Sequence, residues 1–172
     1  KFKGEREISD RFGIEDNKPD CIEKLRELIK DEPRMELKAL KTKYPQGAER
    51  QLIYATTKRA INSTMLPADA GCVVDNVETL IAIHNAVVNG RPVTSRIVTV
   101  SGDDVKEPGN FKVLLGTNQR EVVDAAGGFI GEAEKVISGG PMMGFSMFTL
   151  DTPITKTSSS ILCMTNDAVA EH

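Results

Sequence analysis

Two short polar clusters have the composition of ligand corners. In Gly71-Cys72-Val73-Val74-Asp75-Asn76-Val77-Glu78-Thr79-Leu80 an apolar pair runs into Asp75-Asn76, and helical spacing of apolar residues follows at once. With Asp75 as the cap and Glu78 three residues on, the run fits a capping box, and pattern alone favours that reading. The same helix start exposes unpaired N–H groups and a positive dipole end, which suit a phosphate or the electron-rich edge of a flavin. Asn76 adds an amide that both donates and accepts, and Thr79 a hydroxyl facing the same side. The second cluster is Glu15-Asp16-Asn17. It too reads first as helix-start chemistry. As a ligand corner, a carboxylate pair leaving a strand suits ribose hydroxyls or a nicotinamide amide, at the place where open α/β sheets bind ligands.

Other chemistry-bearing residues have plainer explanations. Gly139-Gly140-Pro141-Met142-Met143-Gly144 lacks the spacing of a nucleotide phosphate loop and reads as a tight structural turn, with two Met residues as a partner contact if they are exposed. Tyr44 beside Pro45 has the shape to stack on a planar ligand, although a half-buried loop aromatic is the commoner case. His84 falls on an apolar helix face and reads as a core histidine. Ser158-Ser159-Ser160 has no Gly-x-Ser-x-Gly context, which excludes a serine hydrolase of that type. Cys21, Cys72 and Cys163 are far apart, with no C-x-x-C pair, so neither a disulfide framework nor a zinc or iron–sulfur motif is expected. No residue stands out as a metal ligand or a catalytic group.

The elements that must position these clusters follow from periodicity. Ile22, Leu25, Leu28 and Ile29 predict a helix, capped by Asn17 with Pro19 in its first turn and stopped at Asp31-Glu32-Pro33. Met35, Leu37 and Ala39 alternate as a short strand. After a turn at 43–47, a second helix is expected over Ala48 to Thr57, with Leu52, Ile53 and Ala55 inward. Val77, Leu80, Ile81, His84, Val87 and Val88 form one helical stripe ended by Asn89-Gly90. After Arg91-Pro92 the period changes to two, with Ile97, Thr99 and Ser101 on one face and Val98 and Val100 on the other. A turn at 106–110 leads to a return strand, Phe111 to Leu115. Thr117 is the expected cap of a short helix from Asn118 to Ala126, closed by Gly127-Gly128. Further strands are expected at Lys135 to Ile137, Phe145 to Phe148 and Ser159 to Met164. The order is α/β followed by α+β, the second part fitting a β-grasp, in which a small mixed sheet wraps one helix.

Composition agrees with a globular chain: 40% hydrophobic and 27% charged residues. The net charge of -3 excludes a global field that would recruit nucleic acid. Residues 1–60 carry 15 of the 22 Lys and Arg but only 12 of the 25 Asp and Glu, so the two parts have surfaces of opposite net sign. The longest aliphatic run, Leu80 to Ile83, is far short of the roughly 20 residues of a membrane-spanning helix.

Longer words carry a resemblance. GIEDNKPD at 13–20, KTKYPQGAERQLIYA at 41–55, LPADAGCVVDNVETL at 66–80, VTVSGDDVKEPGN at 98–110 and ISGGPMMG at 137–144 stand in this order and spacing. Together they resemble the C subunit of the Rnf electron-transport complex, a relative of the flavin-bearing NADH-oxidising subunit of respiratory complex I, where VVNNVETL is a similar segment. The resemblance implies a fold in two parts. Residues 1–91 would be the C-terminal portion of a complex I 51 kDa-like FMN- and NADH-binding α/β domain. Residues 92–172 would be a soluble-ligand-binding, ubiquitin-like β-grasp (SLBB) module with its C-terminal strand segment.

It further implies FMN and NAD(H) as cofactors of the parent protein, with 4Fe-4S clusters there but outside this stretch. Electrons would pass between NAD(H) and the clusters through FMN. The implied partners are other subunits of a membrane complex that translocates ions. The implied place is peripheral, on the cytoplasmic face of the cell membrane, with this stretch itself soluble and without a span. By position, Val74, Asp75, Asn76 and Thr79 would lie near the flavin. Glu15 and Asp16 would match the acidic turn of NADH-oxidising relatives, and Tyr44 an aromatic beside the nucleotide. The family's Gly-rich flavin-phosphate loop and four-cysteine motifs are missing from these residues, and an apolar strand is expected where Glu5 to Phe12 is mostly polar. The resemblance therefore implies a fragment with part of the flavin site, inactive alone. A soluble paralogue, such as a cobalamin-pathway reductase or an amino-acid reductase accessory protein, and a docking module without its own chemistry are the alternatives.

Overall fold

The computed structural model describes residues 9–165 and residue 169. The chain divides into two compact units, one up to Asn76 and the other from Val77 onward.

In the first unit β1 (Asp10–Glu15), α1 (Pro19–Ile29) and β2 (Met35–Leu40) form a β-α-β run, followed by α2 (Glu49–Thr57) and a single 3-10 turn, Pro67–Ala70. The strands pair in parallel, Asp10 opposite Met35 through Glu15 opposite Leu40. A parallel pair needs such a crossover, here made by α1. A strand thus stands here despite the polar sequence, but it begins at Asp10 and runs on through Gly13 to Glu15, and the residues from Glu5 to Ile8 where it is also expected lie outside the described residues. Arg11 turns its guanidinium to the Thr56 carbonyl and lies 3.6 Å from Glu36, so its charge is paired at the strand edge. Gly13 leaves room for a close approach: α2 packs on β1 here, and a Cβ would stand 2.6 Å from Leu52 Cδ1, so that the end of this side chain would have to shift. Among the described residues of this unit, Ile22, Ile53 and Thr56 are the buried side chains. Asn17 is not the cap of α1. The cap position is Lys18, which makes no side-chain cap bond, and Pro19 opens the helix because its missing N–H has no partner to lose there.

The second unit opens with α3 (Val77–Asn89). A five-stranded mixed sheet follows, in the order β4-β3-β7-β5-β6: β3 Ser95–Ser101, β4 Gly109–Leu114, β5 Lys135–Ser138, β6 Phe145–Met147 and β7 Ser160–Met164. β3 pairs antiparallel with β4 and parallel with β7. β5 pairs antiparallel with both β6 and β7. The helix α4 (Gln119–Ala125) lies on the sheet, with Val122, Val123 and Ala126 packed among Val98, Val100, Ile161 and Cys163. This is the β-grasp layout, and the alternation of β3 fixes its inner face, Val98 and Val100 being fully buried and Ile97 exposed. The cap of α4 is Asn118, whose side chain accepts from the Arg120 N–H; Thr117, one residue earlier, lies too far out to do so. The Gly-Gly-Pro-Met-Met-Gly stretch is a structural turn. A Cβ on Gly144 would meet the Gly140 and Ser138 carbonyl oxygens at 2.6 and 2.8 Å.

The stripe of α3 departs from expectation. It has no buried residue. Val77, Leu80, Ile81, Val87 and Val88 are all exposed, and so is His84, which is therefore not a core histidine. Periodicity marks which residues share a face, and it does not supply the layer that covers that face.

Candidate functional site

The first corner lies at the carboxyl ends of β1 and β2. Glu15 ends β1 opposite Leu40, and the next residue continues the pairing through Asp16 N–H to Leu40 O at 2.8 Å. The Asp16 side chain then bridges the strand ends. Its Oδ1 accepts from the Thr42 N–H at 2.9 Å and the Thr42 hydroxyl at 2.6 Å, and the Asn17 N–H donates to the same hydroxyl oxygen at 3.3 Å. The Thr42 hydroxyl, then its amide, hold the Asp16 carboxyl below its ordinary value, so it stays ionised as an acceptor. Glu15 is half-buried and pairs with Lys18 Nζ at 3.0 Å.

Asp16 also lines a cleft of about 470 Å³ with Pro19, Ile22 and Arg26. Tyr44 stands exposed two residues beyond Thr42 on the same loop. The fold thus brings Glu15, Asp16 and the loop carrying Tyr44 to one end of the parallel pair, the position where α/β sheets receive ligands. Thr42 is the member that sequence reading missed. A threonine between two lysines, two residues past a strand, has no local feature that announces a carboxylate partner.

The second corner is the start of α3. Val74 is half-buried, Asp75 and Asn76 are exposed, and the helix begins at Val77 with Thr79 half-buried in its first turn. In sequence the Asp75-Asn76 pair directly precedes this helix of 13 residues. Glu78, the capping-box candidate, has a longer-range role. Its Oε1 accepts from the Ile97 N–H at 2.8 Å and its Oε2 from Arg96 Nη2 at 2.7 Å. Arg96 is the second residue missed. It shares the strand parity of Val98 and Val100, and an arginine on the core-facing side of a strand requires an acid partner.

Among the described residues no cluster of His, Cys, Asp and Glu could hold a metal ion. No described helix is long and apolar enough to cross a membrane. Met142 and Met143 of the Gly-rich turn are exposed.

Two family profiles match the chain. The Nuo51 FMN-binding domain covers residues 10–85, and the SLBB domain covers residues 97–146. The C subunit of the Na(+)-translocating ferredoxin:NAD(+) oxidoreductase complex of Acetobacterium woodii is 47% identical over 157 residues, which are 91% of this chain and 35% of that protein. The C subunit of the proton-translocating ferredoxin:NAD(+) oxidoreductase complex of Clostridium ljungdahlii is 49% identical over 157 residues, 91% of this chain and 34% of that protein. The C subunit of the ion-translocating oxidoreductase complex of Pseudomonas aeruginosa is 45% identical over 150 residues, 87% of this chain and 19% of that protein. The chain spans about a third of the length of the first two relatives.

Proposed function

Because the chain belongs with the C subunits of ion-translocating oxidoreductase complexes, we propose that it is part of an electron-transport protein that passes electrons between NAD(H) and 4Fe-4S clusters through FMN. The observation that carries this reading is the Nuo51 FMN-binding match over residues 10–85, which takes in both polar corners. On this reading the flavin-domain portion runs to about residue 91 and the SLBB module from about residue 92. The cluster ligands lie in other parts of the protein. Ion translocation belongs to partner subunits in the membrane, with this protein peripheral on its cytoplasmic face.

The two corners fit the groups they would hold. Val74, Asp75, Asn76 and Thr79 offer one apolar contact, one carboxylate, one amide and one hydroxyl around a helix start, a set that suits the polar edge of a flavin ring. Asp16, kept ionised by Thr42 and exposed, presents its second oxygen to a ribose hydroxyl or a nicotinamide amide. Glu15 is steadied by Lys18 beside it, and Tyr44 supplies an exposed ring for stacking. When bound, FMN supplies the change from hydride to single electrons, chemistry that no amino-acid side chain performs. The residues here bind and orient. Neither corner contains a group that must gain or lose a proton for them to do so.

The reading is tested on the full-length protein that carries this sequence, by flavin and iron content and NADH-dependent dye reduction. Asn76→Ala is expected to raise the FMN dissociation constant about tenfold, the loss of one hydrogen bond to a buried ligand. Undiminished FMN affinity would remove Asn76 from the site, and a full-length protein without flavin would sink the reading as a whole.

A further inference from the structure

Neither corner uses the contact that Glu78 makes with β3. Arg96 donates from Nη2 to Glu78 Oε2 at 2.7 Å and from Nη1 to the Lys156 carbonyl, while the Ile97 N–H donates to Glu78 Oε1 at 2.8 Å. Two successive residues of one strand therefore fix both oxygens of one carboxylate, which defines its position and its orientation. The Arg96 side chain is only 19% exposed, and its Nε is buried without a partner among the described residues. Such a guanidinium is drawn inward at a cost that a close anion offsets.

The helix that carries Glu78 has little hydrophobic hold of its own, its one half-buried apolar residue being Ala82. No residue of α3 is buried. A helix without a buried stripe lacks the usual determinant of its placement, so a directional polar contact has to supply it. The contact also crosses a seam in the sequence. Glu78 falls within the FMN-binding match, Ile97 is the first residue of the SLBB match, and Arg96 precedes it.

We propose that Arg96 is a positioning residue: together with the Ile97 N–H it clamps the Glu78 carboxylate and so fixes the first turn of α3, including Thr79, against β3. The clamp stands on its own geometry; its consequence for flavin binding rests on the function proposed above.

The test is a double-mutant cycle in the full-length protein with Glu78→Gln, Arg96→Gln and the pair, and with Arg96→Lys as the conservative variant. Two quantities are measured: amide exchange of Ile81 to His84, whose hydrogen bonds close the first turn of α3, and the FMN dissociation constant. Each Gln variant is expected to speed that exchange about tenfold, the double no more than either single, with amides of β4 and α4 unchanged as the check on folding. Arg96→Lys is expected to restore part of the protection, since an ammonium reaches the carboxylate but does not fork to the Lys156 carbonyl as well. FMN affinity is expected to fall severalfold in both Gln singles and no further in the double.

Additive effects in the cycle, or unchanged exchange in Arg96→Gln, overturn the clamp. Loosened exchange with unchanged FMN affinity overturns the positioning role. A wild-type protein that never binds FMN counts against the proposed function instead, and the exchange cycle then decides the clamp alone.

Discussion

The two units use similar local patterns and bury them to very different extents. From Val98 to Cys163, valines, isoleucines, an alanine, a leucine and a cysteine close into one core between a five-stranded sheet and α4. From Asp10 to Thr57, a parallel pair and two helices bury only Ile22, Ile53 and Thr56, while Leu28 and Tyr54 remain exposed. The difference lies in layers. Five strands around one helix give each apolar face something to meet, whereas two strands leave most of their flanking surface uncovered. An amphipathic pattern is therefore a request for a neighbour. The first unit and α3 make that request and the described residues do not answer it.

The strongest test of this contrast is truncation in each core. Ile161→Ala should cost about 2–5 kcal/mol in urea unfolding, because Ile161 is 1% exposed inside a packed cluster. Leu28→Ala, at a residue 68% exposed, should stay within about 0.5 kcal/mol. Equal losses at the two positions would abolish the distinction. Helix caps give a smaller effect along the same line. Asn118→Ala should cost about 0.5–2 kcal/mol, since its side chain holds the Arg120 N–H. Asn17→Ala should be nearly neutral for α1, whose cap position is Lys18.

Titration separates the units more finely. Asp16 has a depressed carboxyl in the first unit, so the stability it contributes is complete above the ordinary 3.8 and disappears as pH falls through its folded value. Asp16→Asn should make the acid limb of the melting curve shallower. In the second unit, burial pushes the Cys163 thiol up from 9.0 to about 11, with the Asp104 charge adding to it. The folded state favours the neutral thiol, so this contribution is intact below pH 9.0 and is lost as pH rises toward 11. Cys163→Ala should flatten that alkaline decline, and a thiol reagent should modify exposed Cys21 well before Cys163. Early modification of Cys163 would mean that the second core opens as readily as the first unit.

Much of this was legible from local pattern. The alternation of β3 separated Val98 and Val100 from Ile97, and the structure makes their face the inner one. Asn89-Gly90 marked the end of α3, which Gly90 bears out with a φ of 61°. The polar clusters were legible as residue types, because Asp, Asn and Glu favour the steps into helices. The partners of those residues were not. Thr42 lies 26 positions from Asp16, and Arg96 lies 18 from Glu78, separations over which local pattern says nothing about contact. His84 shows the limit from the other side, since its helical position was read correctly and its burial was not.

The sequence by itself determined most of the element order, the parity of β3 and the residue types at both polar corners, because these follow from backbone period and side-chain chemistry within a few residues. Its longer words also carried the resemblance to the electron-transport C subunits. Tertiary structure alone decided what each charged group is tied to. Asp16 joins two strand ends through Thr42, and the Glu78 carboxylate is held by Arg96 and Ile97 rather than being only a local helix-start residue. The physical reason is that hydrogen bonds and ion pairs depend on distance in space to within a few tenths of an ångström. Chain folding, which brings residues far apart in sequence to that distance, is set by the packing of whole layers.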